Sequence, residues 1–307
     1  MAELKPGRIV EWHRLSPTLS LFRVVAANGA RFPSYEAGQY IALRRDDCLL
    51  TRKVKEENEV RYVPDLDAEG RQKRGSVTHS YSISSAPYET AAGNYLEFYV
   101  VLERGRDGVL GRFTESLFRG VESHENDRLA YVERIVGDFT LAKRAAGFDH
   151  VLMVGTGTGL APFVSMVKQM HHDARGGNRP KVRFTLLHAN RTFEELAYHR
   201  ELLEVEQSKT LDLVYVASVS RPTARDLADP QVGTGRANNI LRHVFGLPPK
   251  EEGAIAPALP GSRPLEMLKE RIDPARTVVL TCGNPDAMAD IAWIAGQTSM
   301  KFEKEDW

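Results

Sequence analysis

The chain has 307 residues, 42% of them hydrophobic, with 41 Lys and Arg against 41 Asp and Glu. The balance holds on both sides of residue 140, with 20 basic and 21 acidic residues before it and 21 and 20 after it, which argues against a basic nucleic-acid arm or an acidic tail. Two cysteines, Cys48 and Cys282, are too few for a disulfide scaffold, a thiolate zinc site or an iron–sulfur cluster. No run of about 18 apolar residues occurs, and the first residues, MAELKPGRIVEW, do not read as a targeting segment. A cytoplasmic monomer with no metal, membrane or nucleic-acid partner is the expectation. The length sits near the roughly 250–300 residues at which one core splits into two, so two domains are expected.

From Arg8 to about Leu141 short apolar runs alternate with polar residues: Arg8 to Trp12, Leu19 to Val25, Tyr40 to Leu43 and Leu96 to Leu102. Turn-formers such as Asn28-Gly29 and Ala92-Gly93-Asn94 bound them, which is the rhythm of an antiparallel β-barrel or sandwich. Between Arg44 and Ser76 the pattern lapses into nine basic and eight acidic side chains. That stretch reads as a surface insertion with one hairpin around Val60-Arg61-Tyr62-Val63.

Within the β half, Thr78-His79-Ser80-Tyr81-Ser82 sets an aromatic ring beside hydroxyls on a strand, suited to stacking on a planar ring and bonding its heteroatoms. Taken alone it reads equally as a serine-rich strand. Further on, Gly111-Arg112-Phe113-Thr114 places a glycine and a hydroxyl at a helix start, a candidate phosphate cradle. The small, polar stretch Ala142 to Gly147 marks the boundary, dividing the chain into 1–143 and 144–307.

Beyond Gly147 β-branched runs alternate with helical stretches, which argues for a parallel sheet wrapped by helices. Strands are expected at Val151 to Val154, Val182 to Leu187, Leu213 to Val219 and Thr277 to Thr281, and helices at Ala161 to His172 and Thr192 to Glu206. Gly246 to Arg263 reads as a loop. Gly155-Thr156-Gly157-Thr158-Gly159-Leu160-Ala161-Pro162 lies between a strand and a helix, where bare backbone N–H groups and the helix dipole suit a phosphate. Pro162 fits the helix's first turn. Leu160 breaks the G-x-G-x-x-G fingerprint, and a tight turn without a ligand remains an alternative reading. The next strands end in Asn190-Arg191 and Ser220-Arg221, with Arg236 following Gly235. Arginines at strand C-termini, in place of an acidic residue, favour the 2′-phosphate of NADP over the bare ribose of NAD. The last strand ends at Cys282-Gly283 on the edge where open α/β sheets bind ligands; a buried structural thiol is the other reading of Cys282.

In order and spacing these motifs resemble the ferredoxin–NADP reductase family, especially its bacterial branch. The resemblance runs from Tyr35-Glu-Ala-Gly-Gln-Tyr40 through the strand at 79–82, Leu96 to Val101, Gly111 to Leu117, Gly137 to Leu141 and the glycine turn to Cys282-Gly283 and Trp307. It implies an FAD-binding antiparallel β-barrel followed by an NADP-binding α/β domain with a parallel sheet. It further implies that Tyr81 stacks on the flavin with Ser82 near N5, and that His79 and Ser80 flank them. Tyr99, Val100 and Val101 would line the flavin, and Gly111, Phe113 and Thr114 would hold its pyrophosphate. On the second domain it implies coenzyme contacts from Gly155, Thr156, Gly157, Thr158, Gly159, Pro162, Asn190, Arg191, Ser220, Arg221, Arg236 and Gly283. Cys282 would lie at the nicotinamide and Trp307 on the FAD. The family's usual arginine is His79 here. The implied activity is electron exchange between NADP(H) and a one-electron carrier such as ferredoxin or flavodoxin.

Overall fold

The computed structural model describes residues 3–56, 59–105, 108–250 and 256–305, which divide into two compact units. The first comprises the chain up to Tyr35 together with Tyr40–Ile83 and Glu89–Val136. The second comprises Glu36–Gln39, Ser84–Tyr88 and everything from Gly137 onward.

The first unit contains β1 (Leu4–Ser16), β2 (Leu19–Ala26), β3 (Tyr40–Leu49), β4 (Thr51–Glu56), β5 (Glu59–Pro64) and β6 (Arg74–Ser82). There follow α1 (Pro87–Gly93), β7 (Leu96–Val101), α2 (Arg112–Glu122) and β8 (Arg128–Val132). Six strands form an antiparallel half-barrel in the order β6-β3-β8-β1-β2-β7. Alternation buries one face of each strand: Phe22, Val24, Ile41, Leu43, Phe98 and Val100 point inward, with Phe22 and Phe98 stacked at 5.1 Å. Helix α2 covers this face with Phe113, Leu117 and Phe118.

The polar stretch 44–76 is a smaller insertion than the sequence suggests. Strand β3 runs on to Leu49 against β6, with a register shift between Arg45 and Cys48. Alternation with Ile41 and Leu43, before the shift, turns Arg45 inward, where it is 1% exposed. A buried guanidinium survives only if its donors are met: Ser116 Oγ accepts at 2.9 Å, the carbonyls of Asn126 and Arg128 at 3.2 and 3.0 Å. Only the β4–β5 hairpin and its return loop protrude, and Val60 to Val63 lie in that hairpin. The Ala92 to Asn94 turn ends a helix, α1, that its sequence did not announce.

The second unit contains α3 (Leu141–Arg144), β9 (His150–Thr156), α4 (Ala161–Arg175), β10 (Arg183–Asn190), α5 (His199–Ser208) and β11 (Leu213–Val219). It continues with α6 (Ala224–Ala228), β12 (Val232–Thr234), α7 (Ala237–Val244), α8 (Leu265–Arg271), β13 (Thr277–Cys282), α9 (Pro285–Thr298) and β14 (Lys301–Lys304). All six strands are parallel in the order β12-β11-β10-β9-β13-β14. The central strands are mostly apolar and almost wholly buried because helices cover both faces; β13 is buried at every position. The helix expected from Thr192 begins only at His199, because Tyr198 is left-handed (φ 60°) and the segment before it is a single 3₁₀ turn, Phe193–Glu195. Beyond β12 an antiparallel bridge, Thr234 to Ala258, closes the sheet edge. Segment 84–88 is tied down by Ser165 Oγ donating to the Ser85 carbonyl (2.7 Å) and by Tyr88 stacked on His172 at 4.1 Å.

Candidate cofactor sites

In the first unit, alternation along β6 puts His79 and Tyr81 on one side of the strand and Ser80 on the other. His79, Tyr81 and Phe113 form a ring cluster, with centroids 6.4 Å apart for His79–Tyr81, 6.2 Å for His79–Phe113 and 5.2 Å for Tyr81–Phe113. The Tyr81 hydroxyl is buried with no hydrogen-bond partner among the described residues. Burial, and then the charge of Glu103, push its ionisation well above the ordinary phenol range, so it is a standing donor. An orphaned buried donor costs about 1–3 kcal/mol, which a bound acceptor would recover. Ser82 ends the strand and is buried. Tyr99 and Val100 are buried too, Val100 within the core, while Val101 is half-exposed at the end of β7.

Phe113 sits at the start of α2, whose N-terminus carries no side-chain cap. Its first amides therefore have no intrahelical partner, and the dipole there favours an anion. The Thr114 hydroxyl is already committed: it donates to the Gly111 carbonyl and accepts from the Glu103 amide, both at 3.2 Å. Gly111 lets the chain pass closely, since a Cβ there would lie 2.8 Å from Thr114 Oγ1 and 2.9 Å from Glu103 Cβ. Glu103, an exposed carboxylate beside a helix N-terminus, was not singled out from sequence. Gly111 is eight positions further along the chain, and no short-range pattern marks the contact.

In the second unit the C-terminal ends of β9 and β13 meet where the strand order reverses, the switch point at which α/β sheets bind ligands. The glycines of this turn have two different jobs. A Cβ on Gly159 would lie 2.2 Å from the Cys282 carbonyl oxygen, and one on Gly283 (φ 124°) 2.3 Å from the Thr156 oxygens. Gly155 is pinned against Leu160. Gly159 and Gly283 let the two loops touch, and Gly155 lets its own turn close on Leu160. Gly157 (φ 57°) faces open space, so it alone of the four keeps bare backbone for a ligand. Thr156 Oγ1 accepts from the Asn284 amide at 2.8 Å, while Thr158 lies in the 3₁₀ turn before α4 and Pro162 is in that helix's first turn.

The Cys282 side chain is completely buried, and its thiol donates to Glu305 Oε2 at 3.0 Å. Burial, then the Glu305 charge and that hydrogen bond, hold the thiol well above its ordinary pKa. It is a protonated donor and not a nucleophile. Glu305 is 2% exposed and follows β14, where Glu303 pairs with Arg144 at 2.8 Å. Trp307 lies outside the described residues.

The ends of β10, β11 and β12 are neighbours, and they bring Arg191, Arg221 and Arg236 to one edge. The Ser220 amide donates to the Asn190 carbonyl (2.9 Å) and the Arg221 amide to that of Arg191 (2.7 Å). Gly235 donates to Val219, which places Arg236 at the start of α7. Asn190 closes the loop by donating to the Glu195 carbonyl at 2.7 Å and accepting from the Arg191 amide. Arg191 is gripped by Glu195, with Nε to Oε2 at 2.8 Å and Nη2 to Oε1 at 2.5 Å. Glu195 was missed from sequence, although its position four residues after Arg191 is a pairing signal.

An oxidoreductase NAD-binding domain model matches residues 153–293. The ferredoxin–NADP reductase of Azotobacter vinelandii is 25% identical over 81% of each chain, and that of Pseudomonas aeruginosa is likewise 25% identical over 81% of each. Among solved structures, a ferredoxin NADP+ reductase from Neisseria gonorrhoeae with bound FAD and NADP aligns over 99% of both chains (TM-score 0.63, 18% identity). A cytochrome P450 reductase of Amycolatopsis aligns over the whole of this chain and 71% of its own (TM-score 0.61, 17% identity). The class is a two-unit oxidoreductase with an antiparallel half-barrel and a parallel α/β sheet. The chain is similar to ferredoxin–NADP reductases over most of its length, and residues 153–293 match the oxidoreductase NAD-binding domain.

Proposed function

We propose that the chain is an FAD-dependent reductase that exchanges electrons between NADP(H) and a one-electron carrier such as ferredoxin or flavodoxin. We assign FAD to the first unit and NADP(H) to the second, and a cytoplasmic location to the protein. The observation that carries the reading is the set of three arginines on adjacent strand ends of a sheet whose switch point holds the Gly157 turn, a site built for a phosphorylated dinucleotide.

The residues fit both groups. In the first unit Tyr81 supplies a ring face and an unmet donor, the uncapped start of α2 supplies amides for a pyrophosphate, and exposed His79 supplies an imidazole. Ser80, Ser82, Tyr99, Val100, Val101, Gly111, Phe113 and Thr114 complete that assignment, with Trp307 as a further stacking partner. In the second unit Arg191, Arg221 and Arg236 with Asn190 and Ser220 select the 2′-phosphate. Gly157, Thr156, Thr158 and the start of α4 receive the pyrophosphate. Cys282 and Gly283, backed by Glu305, shape the nicotinamide pocket. Bound FAD would accept a hydride from NADPH and release electrons singly. The chain's own contributions are orientation and a low-dielectric floor: the Cys282 thiol keeps its proton on Sγ and its contact to Glu305.

A second reading is a reductase that serves an oxygenase, favoured by the whole-chain alignment with the P450 reductase of Amycolatopsis. The purified protein should be yellow, or become so with FAD, and should bleach on anaerobic NADPH titration. Reoxidation by ferredoxin or flavodoxin in preference to free FMN supports the first reading. A colourless protein that FAD does not reconstitute overturns both.

A further inference from the structure

Arg45 stands where the strand pattern calls for an apolar side chain, inward on β3 in step with Ile41 and Leu43. Burying a charge is costly, and well-packed apolar residues commonly serve stability as well or better. What a guanidinium adds is direction. Two of its hydrogen bonds hold α2 at Ser116, one to Oγ (2.9 Å) and one to the carbonyl (3.1 Å). Two more hold the carbonyls of Asn126 and Arg128 at the entry to β8, and the fifth reaches Asp47 Oδ2 at 3.3 Å. Asp47 closes the clamp by accepting from Ser116 Oγ (2.5 Å) and from Asn126 Nδ2 (3.1 Å). A helix resting on Phe113, Leu117 and Phe118 alone is free to turn or slide on its apolar contacts, whereas one fixed at Ser116 by two directed bonds is not. Helix α2 makes room for the clamp: a Cβ on Gly120 would lie 2.5 Å from Arg45 Nη2 and 3.2 Å from the Asn126 carbonyl oxygen, and glycine in a helix interior is otherwise unfavourable beside alanine.

We infer that Arg45 is a positioning residue for the flavin pyrophosphate: from β3 it sets the rotation and height of α2, and with them the aim of the free amides at the helix start. The inference rests on the FAD reading and deepens it. Those amides precede Glu115, the first to bond back, to the Gly111 carbonyl at 2.7 Å, so Ser116 lies about one turn beyond them. Hydrogen bonds weaken steeply off line, and a slip of one residue would carry the helix start about 1.5 Å along its axis. Asp47 already answers the Arg45 charge, so the part Arg45 plays is aim and not attraction.

The test is the affinity of the flavin-free full-length protein for FAD and for riboflavin, read by quenching of flavin fluorescence, so that no electron transfer is read. Riboflavin carries the same ring and no phosphate, and the ratio of the two affinities therefore reports on the phosphate end. The unmodified protein should prefer FAD. Arg45→Met keeps the length of the side chain and loses every donor; it should cut the ratio by about tenfold or more. Gly120→Ala crowds the guanidinium without removing it and should cut the ratio by a smaller factor, although alanine favours the helix itself. The double variant should lose no more than Arg45→Met alone, because both act through one contact. A ratio kept in Arg45→Met while its urea midpoint falls makes Arg45 a structural residue only and overturns the inference with the FAD reading intact, as does an additive loss in the double variant. No preference for FAD in the unmodified protein removes the reading and the inference together. Where Arg45→Met does not fold, Gly120→Ala decides: a lowered ratio supports the inference and an unchanged one overturns it.

Discussion

At the scale of single residues, the second unit keeps its chemistry out of solvent by pairing unlike groups. Cys282 is the clearest case, with a thiol held protonated by burial and by the carboxylate it touches. Thiol reagents should leave the native protein untouched between pH 7 and 9 and titrate two thiols in urea, Cys48 being buried as well; fast native labelling at Cys282 would contradict the geometry. Cys282→Ser keeps a donor for Glu305, whereas Cys282→Ala does not. The alanine variant should be less stable than the serine variant by about 1 kcal/mol in urea unfolding. The sequence placed Cys282 at a strand end but could not say where the thiol points, because Glu305 is 23 residues away and reaches it only through the pairing of β13 with β14. The arginines were legible as residues, since each follows a strand. That Arg191 carries a buried carboxylate in its fork was not, since burial is set by the folded loop.

At the scale of elements, the touching loops after β9 and β13 set the shape of the switch point. Gly159→Ala or Gly283→Ala forces a Cβ into backbone at 2.2–2.3 Å, with no flexible neighbour to yield. Each should cost about 3 kcal/mol, read as a lower urea midpoint, and should weaken nucleotide binding beyond the stability loss. Gly157→Ala meets open space and pays only for its left-handed backbone, about 1 kcal/mol; equal costs for all three would show the loops to be apart. Periodicity found these elements well. Leu213–Val219 has the expected bounds, because a β-branched run buried on both faces leaves no ambiguity. It failed where tertiary contacts outvote pattern. Strand β3 continues through Arg44-Arg45-Asp46-Asp47 because Arg45 is solvated by protein instead of water, and the helix after β10 starts late because Asn190 and Glu195 claim the loop.

At the scale of the whole molecule, the two units should answer acid differently. His150 and His188 are completely buried in the second unit, and burial first, then neighbouring cations, depress both to about 3. His150 is held between Thr277 and Thr185 (3.0 and 2.8 Å) and His188 against Tyr215 (3.0 Å). An unfolded imidazole titrates near 6.5, so the unfolded state binds more protons between pH 6.5 and about 3. Stability is therefore full above that window and falls within it, by up to about 1.4 kcal/mol per pH unit for each histidine. The histidines of the first unit, His13, His79 and His124, are exposed. Its acid-sensitive groups include Asp47, which is pulled in two directions: burial raises it, while Ser116, Arg45 and Asn126 bring it below its ordinary value, so it yields only at lower pH. With Trp307 replaced by Phe, Trp293 fluorescence should change at higher pH than that of Trp12; coincident transitions would mean that the units unfold as one. One last consequence concerns the Thr234–Ala258 bridge. A parallel sheet assembles from segments distant in sequence and is exposed while it does so, and an uncovered outer strand invites the strand of another chain. Here one edge is three residues long and already occupied by Ala258, with Gly233 leaving room for its carbonyl. The other is four residues flanked by exposed Lys301 and Lys304. The sheet is thereby protected at both margins against intermolecular β-pairing and aggregation, by a loop at one and by lysines at the other.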